Sequence, residues 1–150
     1  MGSTLNSVYV HYIFSTKDRE PYITNELRDR LFPFMGGILR KNGSRLISIG
    51  GTSNHVHVLA LLPSTSSVSK IMQLLKGAST RWTHDTFPEH RNFAWQDGYA
   101  AFSVSSSGIR KAREYIENQE EHHRKRDFRT EYLAFLQAHD LEYDERYIWK

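Results

Sequence analysis

The apolar periodicities along this 150-residue chain run strand, helix, strand, strand, helix, strand. That order predicts an α+β domain: a β-α-β-β-α-β antiparallel sheet of the ferredoxin-like kind with helices on one face, followed by an extra C-terminal helix. Three features carry the prediction. Short β-branched and aromatic runs alternate with longer stretches of period 3.6. Two of the runs, "RLISIGG" and "HVHVLALLP", are separated by only a few Gly, Ser and Asn residues. A third amphipathic stretch comes after the last strand.

Taken in order, "SVYVHYIFST" from Ser7 to Thr16 is the first strand. Leu27, Leu31, Phe34, Met35, Ile38 and Leu39 then recur at helical spacing between Thr24 and Lys41. Thr24 or Asn25 supplies the cap, Gly43 the stop, and Pro33 an expected bend. After the central hairpin, Val68, Ile71, Leu74, Leu75, Ala78 and Trp82 mark a second helix. "FAWQDGYAAFSVS", Phe93 to Ser105, is the last strand region, with an expected bend at Gly98. "SSSGIRKAREYIENQEEHHRKRDF" is a third helix capped by one of its serines, and Tyr132, Phe135 and Leu136 give the tail an amphipathic piece. We expect one domain over 1–150, with a body at 1–126 and a tail at 127–150 that packs on the body or on a partner.

Composition narrows the chemistry. The chain has no cysteine, which excludes disulfides and thiolate metal sites and leaves imidazole, carboxylate, amide and phenol as donors. No apolar run approaches membrane-spanning length, and the expectation is a cytoplasmic protein with no membrane partner. Residues 1–126 carry 17 Lys/Arg against 11 Asp/Glu, and residues 127–150 carry 3 against 6. A basic body suits a polyanion.

The sharpest feature is the pair His55 and His57. On a strand they share one face with Leu59 and Leu61, while Val56, Val58 and Ala60 share the other. Two imidazoles facing the same way are costly to bury without partners, which makes a metal the favoured explanation. On the third helix Tyr115, Gln119 and His122 line up at spacings of four and three, beside Ala112 and Ile116.

Taken together, "HVH", "YIENQ", "FSTKDREP", "LKGAST" and "WQDGYAAFSVS" resemble, over nearly the whole chain, the small single-tyrosine transposases of the HUH superfamily: the IS200-like group, with relatives among REP-associated tyrosine transposases. The resemblance implies that Tyr115 is the nucleophile, that His55 and His57 bind Mg²⁺ or Mn²⁺ and that Gln119 is the third ligand. It implies single-stranded DNA with hairpin ends as substrate, a covalent 5′-phosphotyrosine intermediate, no nucleotide cofactor and a homodimer. Asn54 departs from the Asp that relatives often carry before the first histidine, which bears on metal affinity.

Candidate phosphate contacts are Lys17, Arg19, Lys70, Lys76, Arg81, Arg110, Lys111 and Arg113, and Trp95, Tyr99 or Phe102 are candidates for base stacking. Two rival readings are a non-catalytic single-stranded nucleic-acid module and a histidine-dependent nucleotide hydrolase. The second wants a further histidine where Leu59 stands. Finally, Ile109, Ile116, Phe128, Tyr132, Phe135, Tyr147 and Trp149 look like surplus apolar surface for a dimer partner to cover.

Overall fold

The computed structural model describes residues 2–150. Its four strands are β1 (Tyr9–Ser15), β2 (Leu46–Thr52), β3 (His55–Leu61) and β4 (Ala100–Val104). They form one antiparallel sheet in the order β2-β3-β1-β4. With α1 (Asn25–Lys41) and α2 (Val68–Thr86) as the two crossovers, this is the ferredoxin-like arrangement. No helix is long and apolar enough to cross a membrane among the described residues.

Strand alternation divides the sheet into two unlike faces. On one, Val10, Tyr12, Phe14, Val56, Val58 and Ala60 are buried against Leu27, Leu31, Met35 and Leu39 of α1 and Ile71, Met72 and Leu75 of α2. Thr24 caps α1 by accepting from Leu27 N at 3.1 Å, and Ser67 caps α2 by accepting from Lys70 N at 3.1 Å. Pro33 lies inside α1, which runs through it, and Phe34 leaves the core to stack on Trp82 at 4.5 Å.

The opposite face receives everything after β4. The third helical stretch is broken, not continuous: α3 (Ile109–Glu117) ends at Asn118, a single turn α4 (Gln119–His122) follows, and α5 (Phe128–Ala138) begins after Asp127. The expected serine cap is replaced by a 3₁₀ turn at Ser106–Gly108, with Gly108 at the cap position. The last strand is shorter than expected, reduced to Ala100–Val104 with one isolated bridge between Thr16 and Trp95. Gln96 explains the interruption, because its Oε1 accepts from Ser15 N at 2.7 Å where a strand partner would have been.

Residues 127–150 pack on the body. Phe128, Tyr132 and Leu136 join Ile13, Ala100 and Phe102 in a second core. Trp149 lies 5.7 Å from the Tyr132 ring with Arg129 and Arg19 over its indole, and Gly98 N donates to Lys150 O at 3.0 Å. The expected surplus of apolar surface is therefore largely spent within the chain. Ile116, Phe128 and Tyr132 are buried, and of that set only Tyr147, 59% exposed, remains in solvent.

Candidate metal and nucleophile centre

β3 places His55 and His57 on the face that α3, α4 and α5 cover, and both are fully buried. One glycine of β2, Gly50, makes the close approach of α3 possible. A Cβ on Gly50 would stand 2.2 Å from the Ile116 carbonyl oxygen, so only glycine lets α3 lie this near the strand. α3 in turn delivers Tyr115 beside His57, ring centroids 5.9 Å apart, while the helix break at Asn118 turns Gln119 inward to 2.9 Å from His55 Nε2. His122 stacks on the Tyr115 ring at 4.3 Å. Tyr115, His55, His57 and Gln119, from two stretches about 60 residues apart in sequence, thus converge under the sheet.

Three further groups complete this centre, and sequence reasoning missed them. Glu131 of α5 is fully buried, with one oxygen 2.9 Å from His57 Nε2, while its other oxygen accepts from the Tyr115 hydroxyl. His11 of β1 hydrogen-bonds His57 Nδ1 through its Nε2 at 2.8 Å. His123 stacks on His55 at 4.3 Å and brings its Nε2 to 3.2 Å from Glu131 Oε1. A signal for Glu131 does exist in the sequence. It falls on the apolar stripe of its helix, three residues after Phe128 and four before Phe135, where a carboxylate needs a reason to be.

His55 has the protonation state that a metal ligand needs. Burial, reinforced by neighbouring His57, lowers both His11 and His55 to about 3, so each is neutral near pH 7. His55 Nδ1 lies 3.0 Å from Thr52 Oγ1 and 3.0 Å from Asn54 Oδ1. With Asn54 Oδ1 accepting, the proton sits on Nδ1 and Nε2 presents a bare lone pair toward Gln119 Oε1. Two acceptors 2.9 Å apart repel unless a cation lies between them, and that fits the donor set to a divalent metal. Asn54 thus provides the same Nδ1 acceptor that an Asp would. His55, His57 and Glu131 each offer one donor atom within 4.8 Å of the others.

Tyr115 stands at the edge of this cluster and is half-buried. Burial and then its hydrogen bond to Glu131 push its phenol up to about 12, opposed by Arg126, whose Nη2 lies 3.4 Å from the oxygen. On its outer side a crevice of about 280 Å³ is lined by Tyr115, Lys111, Phe102, Phe135, His11 and His139, among others.

The basic candidates divide between the two sides of the sheet. Lys70, Lys76 and Arg81 ride on α2, across the sheet from the histidines, and Lys76 Nζ is engaged by the Asp97 and Gly98 carbonyls at 3.1 and 2.9 Å. Arg110, Lys111 and Arg113 are exposed on the tyrosine helix, with Arg110 and Arg113 paired to Glu114 and Glu117. Lys17 is exposed, and Arg19 donates to the Trp149 carbonyl. Trp95 and Phe102 are core side chains, each less than a tenth exposed, so base stacking falls to half-buried Tyr99 alone.

Comparison with known proteins bears on the family and the fold. The family described as "Transposase IS200 like" matches residues 4–119. The ISDra2 transposase TnpA of Deinococcus radiodurans is 26% identical over 114 residues, covering 73% of this chain and 81% of its own. The transposase of insertion sequence element IS200 from Salmonella typhimurium is 29% identical over 119 residues, covering 73% and 74%. A crystal structure of a D. radiodurans R1 protein described as a transposase superposes with a TM-score of 0.62 at 26% identity, covering 79% of this chain and 96% of that one. A REP-associated tyrosine transposase bound to a REP hairpin shares the fold, with a TM-score of 0.56 at 15% identity over 77% and 70% of the two chains. A chain matched over this span, with its histidine strand and tyrosine helix inside it, belongs to the IS200-like family of DNA transposases.

Proposed function

We propose that this transposase cleaves and rejoins single-stranded DNA through a covalent bond to Tyr115, with a divalent metal held by His55, His57 and Gln119. One observation carries the reading: a phenol, two fully buried imidazoles and an amide oxygen meet on one sheet face, beside a crevice that opens onto the phenol. Mg²⁺ or Mn²⁺ held there would polarise the scissile phosphate and offset the charge that grows on its oxygens.

The chain's own residues do the rest. His122 and Glu131 fix the ring and hydroxyl of Tyr115, so the attacking oxygen has one direction. Attack forms the Tyr115 Oη–phosphorus bond and breaks the bond to the 3′ oxygen, leaving a 5′-phosphotyrosine and a free 3′-hydroxyl. Because the phosphotyrosine keeps the energy of the diester it replaced, another 3′-hydroxyl can reverse the step and join new ends without a nucleotide cofactor. Arg110, Lys111 and Arg113, on the same helix as the nucleophile, are the basic residues best placed to meet the DNA backbone. The hairpin partner of the REP-associated relative supports a hairpin-bearing strand as substrate here too.

A homodimer is part of this reading, since two DNA ends must be held together. Its support is the outer edge of β4, unpaired in the sheet, since the chain covers most of its own apolar surface. Light scattering should then give about twice 17.5 kDa. The deciding experiment incubates the protein with an end-labelled hairpin oligonucleotide and Mn²⁺ and runs a denaturing gel. A protein-linked label that EDTA prevents supports the reading. Cleavage with no covalent adduct overturns it.

A further inference from the structure

Glu131 lies beyond residues 4–119, the stretch that the family accounts for, and it is the one carboxylate in the buried centre. Its Oε1 is 2.9 Å from His57 Nε2, 3.2 Å from His123 Nε2 and 3.6 Å from His55 Nε2. No lysine or arginine pairs with it among the described residues. Its ion-pair neighbours are imidazoles alone, three ring nitrogens gathered around one carboxylate oxygen. A fully buried carboxylate with no lysine or arginine beside it, and with imidazole nitrogens converging on one of its oxygens, is the arrangement in which a cation can be shared among the donors. A second orphan points to the same spot, because His123 Nε2 is buried without a hydrogen-bond partner of proper geometry.

We propose that Glu131 is a ligand of the divalent cation alongside His55 and His57, and that its second oxygen holds the Tyr115 hydroxyl toward that cation. The inference rests on reading the centre as a metal-dependent tyrosine site. Two imidazoles and one carboxylate form a donor set that suits Mn²⁺ or Mg²⁺ better than two imidazoles and an amide, since the carboxylate brings the charge that a hard cation prefers. The geometry also assigns α5 a task. It closes over the histidines with Phe128 stacked on His55 at 4.6 Å, and from that lid it sends one side chain to both the cation and the nucleophile. Gln119, reaching His55 from the other side, is then an auxiliary ligand that water can replace.

The test is Mn²⁺ binding, measured by calorimetry and by the loss of the free-ion electron paramagnetic resonance signal, in the absence of DNA. Glu131→Gln keeps size and shape and should weaken Mn²⁺ affinity by roughly tenfold or more, with Glu131→Asp intermediate and Gln119→Ala weaker than wild type by less than Glu131→Gln. A Glu131→Gln protein that melts at a lower temperature yet binds Mn²⁺ like wild type would show a purely structural glutamate and overturn the proposal. So would a larger loss from Gln119→Ala than from Glu131→Gln. The wild-type adduct assay separates this failure from failure of the tyrosine reading. Adducts that form normally while Glu131→Gln binds Mn²⁺ unchanged sink only the ligand assignment, whereas wild type that binds Mn²⁺ but never links to DNA sinks the reading beneath it.

Discussion

The two faces of one sheet do different work. Against α1 and α2 the strands present Val10, Tyr12, Phe14, Val56, Val58 and Ala60, an apolar set whose single polar side-chain atom is the Tyr12 hydroxyl. Against α3, α4 and α5 the same strands present His11, Ser15, His55 and His57, and the helices answer with Tyr115, Gln119, His123 and Glu131. Both faces are buried, but for opposite reasons. The first gains free energy from every side chain it hides, at about 25 cal/mol per Å² of apolar area. The second hides polar groups that gain little net stability even when satisfied and cost several kcal/mol when not. One face holds the fold, and the other is held by it.

If that division is right, substitutions on the two faces should fail differently. The largest effect belongs to Tyr115→Phe. It deletes the oxygen we propose as the nucleophile, so on that proposal covalent DNA adducts should fall by about a thousandfold or more on a denaturing gel. The melting temperature should shift by no more than a few degrees, since only one half-buried hydroxyl is lost. Adducts that persist at wild-type level would move the chemistry to another residue.

Gly50→Ala is the next largest and probes the join between the faces and the helix that serves one of them. The new Cβ would meet the Ile116 carbonyl oxygen at 2.2 Å, a backbone atom that can retreat only if α3 retreats with it. Displacing Tyr115 by about 1 Å should cost on the order of a hundredfold in cleavage. Mn²⁺ affinity should fall far less, because the histidines sit on β3. Unchanged cleavage would show that α3 need not lie this close.

Leu75→Ala acts on the apolar face alone. Leu75 is fully buried, so truncation should cost about 2–5 kcal/mol in denaturant unfolding. Adduct yield per folded molecule should hardly change. A comparable loss of chemistry and stability would mean that the faces are not separable.

These contrasts also explain what was readable in the sequence. The apolar face was legible because each of its residues obeys a period, two on the strands and 3.6 on the helices, and the strand order follows from that. His55 and His57 were legible as an exception to the period, and Tyr115 with Gln119 through their spacing. Glu131, His11 and His123 were not, because they reach the site from α5, from β1 and from the end of α4, up to 76 residues from His55, a separation that no local pattern encodes. The break at Asn118 was hidden for a related reason. Its helix period continues through "YIENQEEHH", and only docking of Gln119 against His55 shows why the helix turns. Sequence patterns also counted Phe128 and Tyr132 as surplus surface, where the structure stacks Phe128 on His55 and packs Tyr132 behind it.

The smallest effect probes the rim of the apolar face. Lys76 extends from α2 over Phe14 and Tyr99, and burial, only partly offset by Asp97, lowers its ammonium to about 8 from 10.5. Between those values the unfolded chain binds more protons than the folded one, so this residue makes stability rise as pH climbs from about 8 toward 10.5 and takes that increment away again on the return. The slope is modest, since the group is partly solvated and its hydrogen bonds to the Asp97 and Gly98 carbonyls offset the cost of burial. Lys76→Met should remove it. The difference in melting temperature between the variant and wild type should favour the variant most near pH 7 and narrow as pH passes through that window, while tyrosines that titrate at higher pH cancel in the comparison. A difference that stays constant from pH 7 to 10.5 would mean that the Lys76 ammonium is as well solvated folded as unfolded, and that the apolar face ends short of it.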